Sequence, residues 1–279
     1  MSSILIVGVI RNCAPNLESE INNLDRAFSD FSRKYFFVES DSSDDTVKKL
    51  NDISLKMKNL EFLSLGNLSN IIPSRVPRLS YCRNRYLEYM RNIYQSNLPA
   101  YIVVVDMDGV NSKLSKESVN SCFHLDNWEV CTANQKGPYY DIYALRAANW
   151  NEDSLVKSYH LNLEKYKLHV LAFYFTVVHK MLKRRGCEPI EVESAFGGLA
   201  IYKTSALSHH TYNEKDENGN ITCEHVALHR SILSDGGRII INPRLINSGW
   251  TSNSRRAFLK LIGLGLLGKG YYYFKESQM

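Results

Sequence analysis

Asp106-Met107-Asp108 is the stretch of this chain best equipped for chemistry. It directly follows Ile102-Val103-Val104-Val105, four consecutive β-branched residues that read as a buried strand. Two carboxylates one residue apart at a strand end can point together into the crevice where open α/β sheets bind ligands. Hard oxygen donors at this spacing suit Mg²⁺ or Mn²⁺, with water and diphosphate completing the shell. Such a metal acts as a Lewis acid on a departing phosphate. The bland reading is a loop pair capping the next helix. Three further groups carry chemical potential. Arg75, Arg78, Arg83 and Arg85 precede the acid strand, and guanidinium forks grip diphosphate well. Glu193-Ser194-Ala195-Phe196-Gly197-Gly198 sets two glycines before a strand, where backbone can approach a ligand closely. Cys223-Glu224-His225 opens a helix that also carries His229, so the two histidines share a face. A carboxylate at position 224 is favoured by the helix N-terminus.

The elements that must position these groups alternate through the first hundred residues. Strands are predicted over 3–10, 35–39, 60–65 and 101–105, and helices over 17–28, from about Thr46, and over 78–95. Asp44, Asp45 and the neighbouring serines are suited to capping the second helix. Strands separated by helices imply a doubly wound, mostly parallel sheet with flanking helices. After residue 108 the pattern is mixed. Strands are expected at 130–133, 141–145, 196–202 and 238–242, a helix at 224–235, and a loop and helix over 151–185 ending in Lys183-Arg184-Arg185. This divides residues 1–250 into a nucleotide-binding half to about 110 and an acceptor-binding half over 111–250.

The 279 residues suffice for one sizeable α/β core. A 44% hydrophobic and 23% charged composition is that of an ordinary globular protein. The formal charge of +5 suits a phosphate-bearing ligand or an anionic membrane and is too small to argue for nucleic acid. Six cysteines, at 13, 82, 122, 131, 187 and 223, form no CxxC and read as reduced, buried thiols. The apolar start, Ile4 to Ile10, lacks a basic flank and a cleavage site, which favours a cytoplasmic location.

A strand ending in Asp-x-Asp resembles two families. Val103-Val104-Val105-Asp106-Met107-Asp108-Gly109-Val110 is close to the phosphatase loop of haloacid-dehalogenase-like enzymes, in which Asp106 would be a covalent nucleophile. That loop usually opens its domain, whereas a hundred residues precede it here, and no convincing second metal site follows. The rest of the chain resembles the GT-A glycosyltransferases. Val9-Ile10-Arg11-Asn12 and Phe37-Val38-Glu39-Ser40-Asp41 look like their opening, and Arg78-Leu79-Ser80-Tyr81-Cys82-Arg83-Asn84 is similar to their Arg/Asn-bearing helix. This resemblance implies a GT-A fold and transfer of a sugar from a nucleotide-sugar donor to a glycan or lipid-linked acceptor. It implies nucleotide contacts from Arg11, Glu39, Asp41, Arg78, Arg83 and Asp106, and Mn²⁺ or Mg²⁺ on Asp106 and Asp108 with His225 as a third ligand. Gly197 and Gly198 would border the donor sugar and acceptor, and Glu224 would be the catalytic base. A catalytically silent sugar-nucleotide-binding protein would carry the same motifs.

The tail over 251–279 is basic and apolar, with Arg255-Arg256 before Phe258-Leu259 and an uncharged run from Leu261 to Gly268. That run is too short to span a bilayer. The segment suits an interfacial helix on an anionic membrane and equally a helix docked on the protein's own core. A surface-polysaccharide enzyme, peripheral on the cytosolic membrane face, is the expectation that joins these features.

Overall fold

The apolar run at the N-terminus forms β1 (Ser3–Ile10). The computed structural model describes residues 2–93, 98–148, 188–216 and 219–251, together with 254, 255 and 259. β1 is followed by α1 (Leu17–Ala27), β2 (Ser32–Glu39), α2 (Thr46–Lys56), β3 (Leu60–Ser64), α3 (Arg75–Ile93) and β4 (Tyr101–Val105). β2 and β4 flank β1 and β3 lies outside β2, all in parallel. Because strand side chains alternate between faces, β1 feeds two cores. Leu5 and Val7 join Ile102 and Val104 beneath Tyr86, Leu87 and Met90 of α3. Ile4, Ile6 and Ile10 join Val103 and Val105 beneath Leu17, Ile21 and Leu24 of α1. Burial on both faces is why these strands read as continuous apolar runs. Asp44 supports the start of α2, its Oδ1 accepting the Thr46 N–H at 3.0 Å and its Oδ2 the Ala14 N–H at 3.2 Å.

The second half adds α4 (Lys116–Phe123), β5 (Val130–Gln135), β6 (Ile190–Glu191), β7 (Leu199–Lys203), α5 (Thr204–Leu207), α6 (Glu224–Ser234) and β8 (Ile239–Ser248). One eight-stranded, mostly parallel sheet results, in the order β3-β2-β1-β4-β7-β5-β8-β6. The halves expected from the sequence therefore join edge to edge through β4 and β7. β7 departs from the simple doubly wound pattern by running antiparallel to both β4 and β5.

Residues 141–145 do not form the expected strand. They turn, and only Arg146 makes an isolated bridge, to Ser194. β7 and β8 already occupy both edges of β5, so the segment has no edge there to join, and it buries Ile142, Ala144 and Leu145 instead. The glycine-opened strand begins only at Leu199, because Gly197 and Gly198 both have positive φ, +67° and +82°. The expected helix and loop over 151–185, and the tail beyond 251 apart from 254, 255 and 259, lie outside the described residues. Among the described residues no helix is long and apolar enough to cross a membrane. Cys13, Cys82, Cys122, Cys131 and Cys223 are free and buried; Cys187 lies outside the described residues.

Candidate active site

A cleft of about 380 Å³ opens at the carboxyl ends of β1, β2 and β4. Its first wall comes from the first half of the chain. Asp106 leaves β4 with its N–H on the Gly198 carbonyl at 2.9 Å. Its own carbonyl accepts from Asn111 Nδ2 at 2.8 Å, and the same Nδ2 donates to Glu20 Oε2 at 2.5 Å. Glu20 and Asn111 are both buried. This hydrogen-bonded hub fastens the acid loop to α1 while Asp108 stays exposed. Asp41 adopts a left-handed φ of 60°. Its Oδ1 accepts the Ser69 N–H at 2.8 Å, its Oδ2 lies 3.3 Å from Arg78 Nε, and its carbonyl accepts from Arg11 Nε at 3.2 Å.

The facing wall comes from the second half. Asp141 Oδ2 accepts the Gly197 N–H at 3.0 Å. A Cβ on Gly197 would sit 2.7 Å from the Ala133 carbonyl, and one on Gly198 would run into the Tyr140 hydroxyl. Two glycines are thus required by both φ and space. Glu224, the first residue of α6, is 3% exposed. Its Oε1 accepts from Arg83 Nε at 3.1 Å. Arg83 Nη2 reaches to 3.9 Å from Asp106 Oδ1, so one buried guanidinium spans the acids of both walls. The Phe196 and Tyr212 rings flank that guanidinium at 5.3 and 5.5 Å, and its Nη1 has no hydrogen-bond partner among the described residues. His225 stacks on Phe196 with centroids 4.0 Å apart.

Desolvation is the leading effect on the carboxylates of the cleft. Desolvation pushes Asp106 up to about 8; Arg83 pulls the other way, and Asp108, Asp141 and Glu224 add to the rise. Desolvation likewise raises Asp108, and it carries Asp141 to about 6 against the hydrogen bond from Gly197. Burial opposes ionisation of Asp41 as well, but its Ser69 hydrogen bond and the Arg78 charge hold it below the usual carboxylate range. Desolvation, then the nearby Arg83 charge, keeps His225 neutral.

Of the residues singled out from the sequence, Arg11, Asp41, Arg78, Arg83, Asp106, Asp108, Glu224 and His225 line this one cleft, and Gly197 and Gly198 brace its floor through Asp141 and Asp106. Glu39 does not line it. That carboxylate turns back to accept the Ser42 N–H at 3.0 Å and the Ser64 hydroxyl, supporting the loop that presents Asp41. The structure does not assemble His225 with the acid pair as a ligand set: among the described residues no group of three or more His, Cys, Asp or Glu is arranged to hold a metal. Asp106 and Asp108 remain suited to a divalent ion. A hard cation can be held by one or two carboxylates plus phosphate oxygens and water, and Asp106, raised to about 8, is a carboxyl that nearby positive charge would ionise. Sequence reasoning missed Asp141 and Tyr140, because 141–145 read as a strand. The Gly137-Pro138 pair just upstream was the available sign of a loop.

No family model matches the chain, and no curated protein sequence matches it. Solved structures do. Mannosyltransferase PcManGT from Pyrobaculum calidifontis, in complex with GDP-Man and Mn²⁺, superposes with a TM-score of 0.54 at 12% identity, over 92% of this chain and 59% of that one. The fold is that of the GT-A glycosyltransferases. Residues 1–349 of S. aureus TarS are a further match, at TM-score 0.49 and 14% identity over 94% of this chain and 64% of that one. The chain thus spans about three fifths of the length of these GT-A proteins. In the GT-A frame the cleft lies where open α/β sheets take ligands, outside the strand carboxyl ends.

Proposed function

We propose that this chain is a metal-dependent glycosyltransferase that moves a sugar from a nucleotide-sugar donor to a glycan or lipid-linked acceptor. The observation that carries the reading is Arg83, which ties the acid loop of β4 to the carboxylate at the head of α6 within one cleft. Arg11, Arg78 and Asp41 form the nucleotide end: two guanidinium groups for phosphate or base oxygens, and a carboxylate for donors on ribose or base. Asp106 and Asp108 would hold Mn²⁺ or Mg²⁺, which would supply Lewis-acid stabilisation of the leaving diphosphate. Gly197 and Gly198 let Tyr140 and Asp141 pack close against backbone and so face the donor from the cleft wall. Glu224 Oε1 stays on Arg83, and Oε2, with the Cys223 thiol at 3.7 Å as its one partner among the described residues, takes the acceptor hydroxyl proton. In that step the acceptor oxygen bonds to the anomeric carbon, and the carbon–oxygen bond to the diphosphate breaks with its electron pair. Work on a surface polysaccharide at the cytosolic membrane face is the finer part of the proposal, and it rests on the basic, apolar sequence over 255–269.

The test is nucleoside diphosphate release from a panel of sugar nucleotides with and without Mn²⁺. One sugar nucleotide should be turned over in a Mn²⁺-dependent way. Asp108→Ala should lower that rate roughly a hundredfold or more. Undiminished turnover in Asp108→Ala removes the metal assignment, and the absence of turnover with any donor removes the reading.

A further inference from the structure

A second cleft, of about 530 Å³, opens between α4 and the far ends of β5 and β8. Lys113, Lys136 and Arg244 line it, each exposed and each from a different part of the chain. None of the three has an ion-pair or side-chain hydrogen-bond partner among the described residues. His124 and Ser115 also line it, and Glu117 is the one acid among its described lining residues. By contrast Lys116, on the same helix, pairs with Asp30 and lies off the lining. The backbones that carry the three cations are pinned. Lys113 N–H donates to the Asn247 carbonyl at 2.8 Å, Lys136 N–H to the Ser248 carbonyl at 2.9 Å, and Arg244 N–H to Asn242 Oδ1 at 2.9 Å. Three like charges held on one concave wall repel one another, and a bound anion relieves that repulsion. Two point-charge ammonium groups and one guanidinium fork are the donor set a phosphate takes.

Asn247 and Gln135 tie the backbone of this cleft to the glycine segment. Asn247, which accepts from Lys113 through its carbonyl, donates from Nδ2 to the Gly197 carbonyl at 2.8 Å and accepts from Gln135 Nε2 at 3.1 Å. The backbone that carries Lys113 and Lys136 is thereby fixed to the sheet. We infer that this cleft is a phosphate-binding site. The site does not depend on the glycosyl-transfer reading.

Amide NMR titration of the ¹⁵N-labelled full chain with inorganic phosphate, without metal, reads the site directly. Saturable shifts are expected at Lys113, Lys136 and Arg244 in the native chain and in Arg75→Gln/Arg78→Gln, whose changes lie in the first cleft. In Lys113→Gln/Lys136→Gln/Arg244→Gln the affinity should fall about tenfold or more, with a flatter salt dependence. Equal affinity in that triple variant, or no saturable shift in the native chain, overturns the site.

Discussion

The Arg83–Glu224 pair gives the sharpest test of how the cleft is built. Both residues are almost fully buried, at 4% and 3% exposure, and their contact at 3.1 Å joins positions 141 apart in sequence. Arg83→Met keeps the side-chain volume but leaves Glu224 with the Cys223 thiol as its remaining hydrogen-bond donor among the described residues. Breaking a buried ion pair from one side costs about 3–5 kcal/mol, because the remaining charge is stranded. Loss of the Phe196 and Tyr212 ring contacts adds about 0.5–2 kcal/mol. Glu224→Gln is milder. It keeps an acceptor oxygen for Arg83 Nε, and Arg83 retains Asp106 at 3.9 Å, so about 1–3 kcal/mol is expected. In the double variant no charge is stranded on Glu224, and its cost should fall short of the sum by about 1 kcal/mol or more. Urea unfolding at pH 7, extrapolated linearly and checked for constant slope, measures all three. An Arg83→Met cost below about 1 kcal/mol, or additivity within about 0.5 kcal/mol, would refute the buried pair. The same variants separate structure from chemistry: Glu224→Gln should keep thermal stabilisation by donor and Mn²⁺ while losing transfer.

Two further outcomes follow from backbone and burial. Gly198→Ala places a side chain at φ +82° against the Tyr140 hydroxyl and 2.9 Å from Val110 Cγ2. The left-handed backbone costs about 1–2 kcal/mol and the overpacking about 1–3 kcal/mol. Adding Tyr140→Phe should recover part of the loss in the urea midpoint, because that hydroxyl has no hydrogen-bond partner among the described residues; no recovery would remove the clash as the cause. His229, fully buried between the Ser194 hydroxyl at 2.9 Å and the Tyr202 hydroxyl at 2.8 Å, is held down at about 3 by desolvation. Its folded value lies below its unfolded one, so the unfolded chain binds the extra proton first. Stability is then whole above about pH 6.5 and falls as the pH drops toward 3, by at most about 1.4 kcal/mol per unit from this group. His229→Gln should flatten the urea midpoint between pH 6 and 4, and an unchanged acid slope would show that other groups set it.

The parts of the molecule legible in the sequence are those whose signal is local. The runs 3–10 and 101–105 are buried on both faces and sharply bounded, so their strands and the acid pair after β4 stand out. The direction of β7 is not local. An apolar run of five residues does not say whether it will lie parallel or antiparallel to β4. Asp141 failed for a related reason, since its apolar neighbours serve the core without joining the sheet.

The arginines of α3 show how far a local reading carries. Arg78 and Arg83 are five residues apart, so they point about 140° away from each other around the helix. They cannot serve one ligand from the same face. Arg78 accordingly meets Asp41 beside β2, while Arg83 faces inward to Glu224 and Asp106. The spacing alone already divides them into a rim residue and a core residue, but which is which depends on α6 arriving from the other end of the chain with a carboxylate to meet one of them. A buried cation with an unpartnered Nη1 is tolerated only where its surroundings supply negative charge. Here Glu224 at 3.1 Å is the closest such group and Asp106 stands at 3.9 Å, so Arg83 is held in place by the carboxylate proposed as the base.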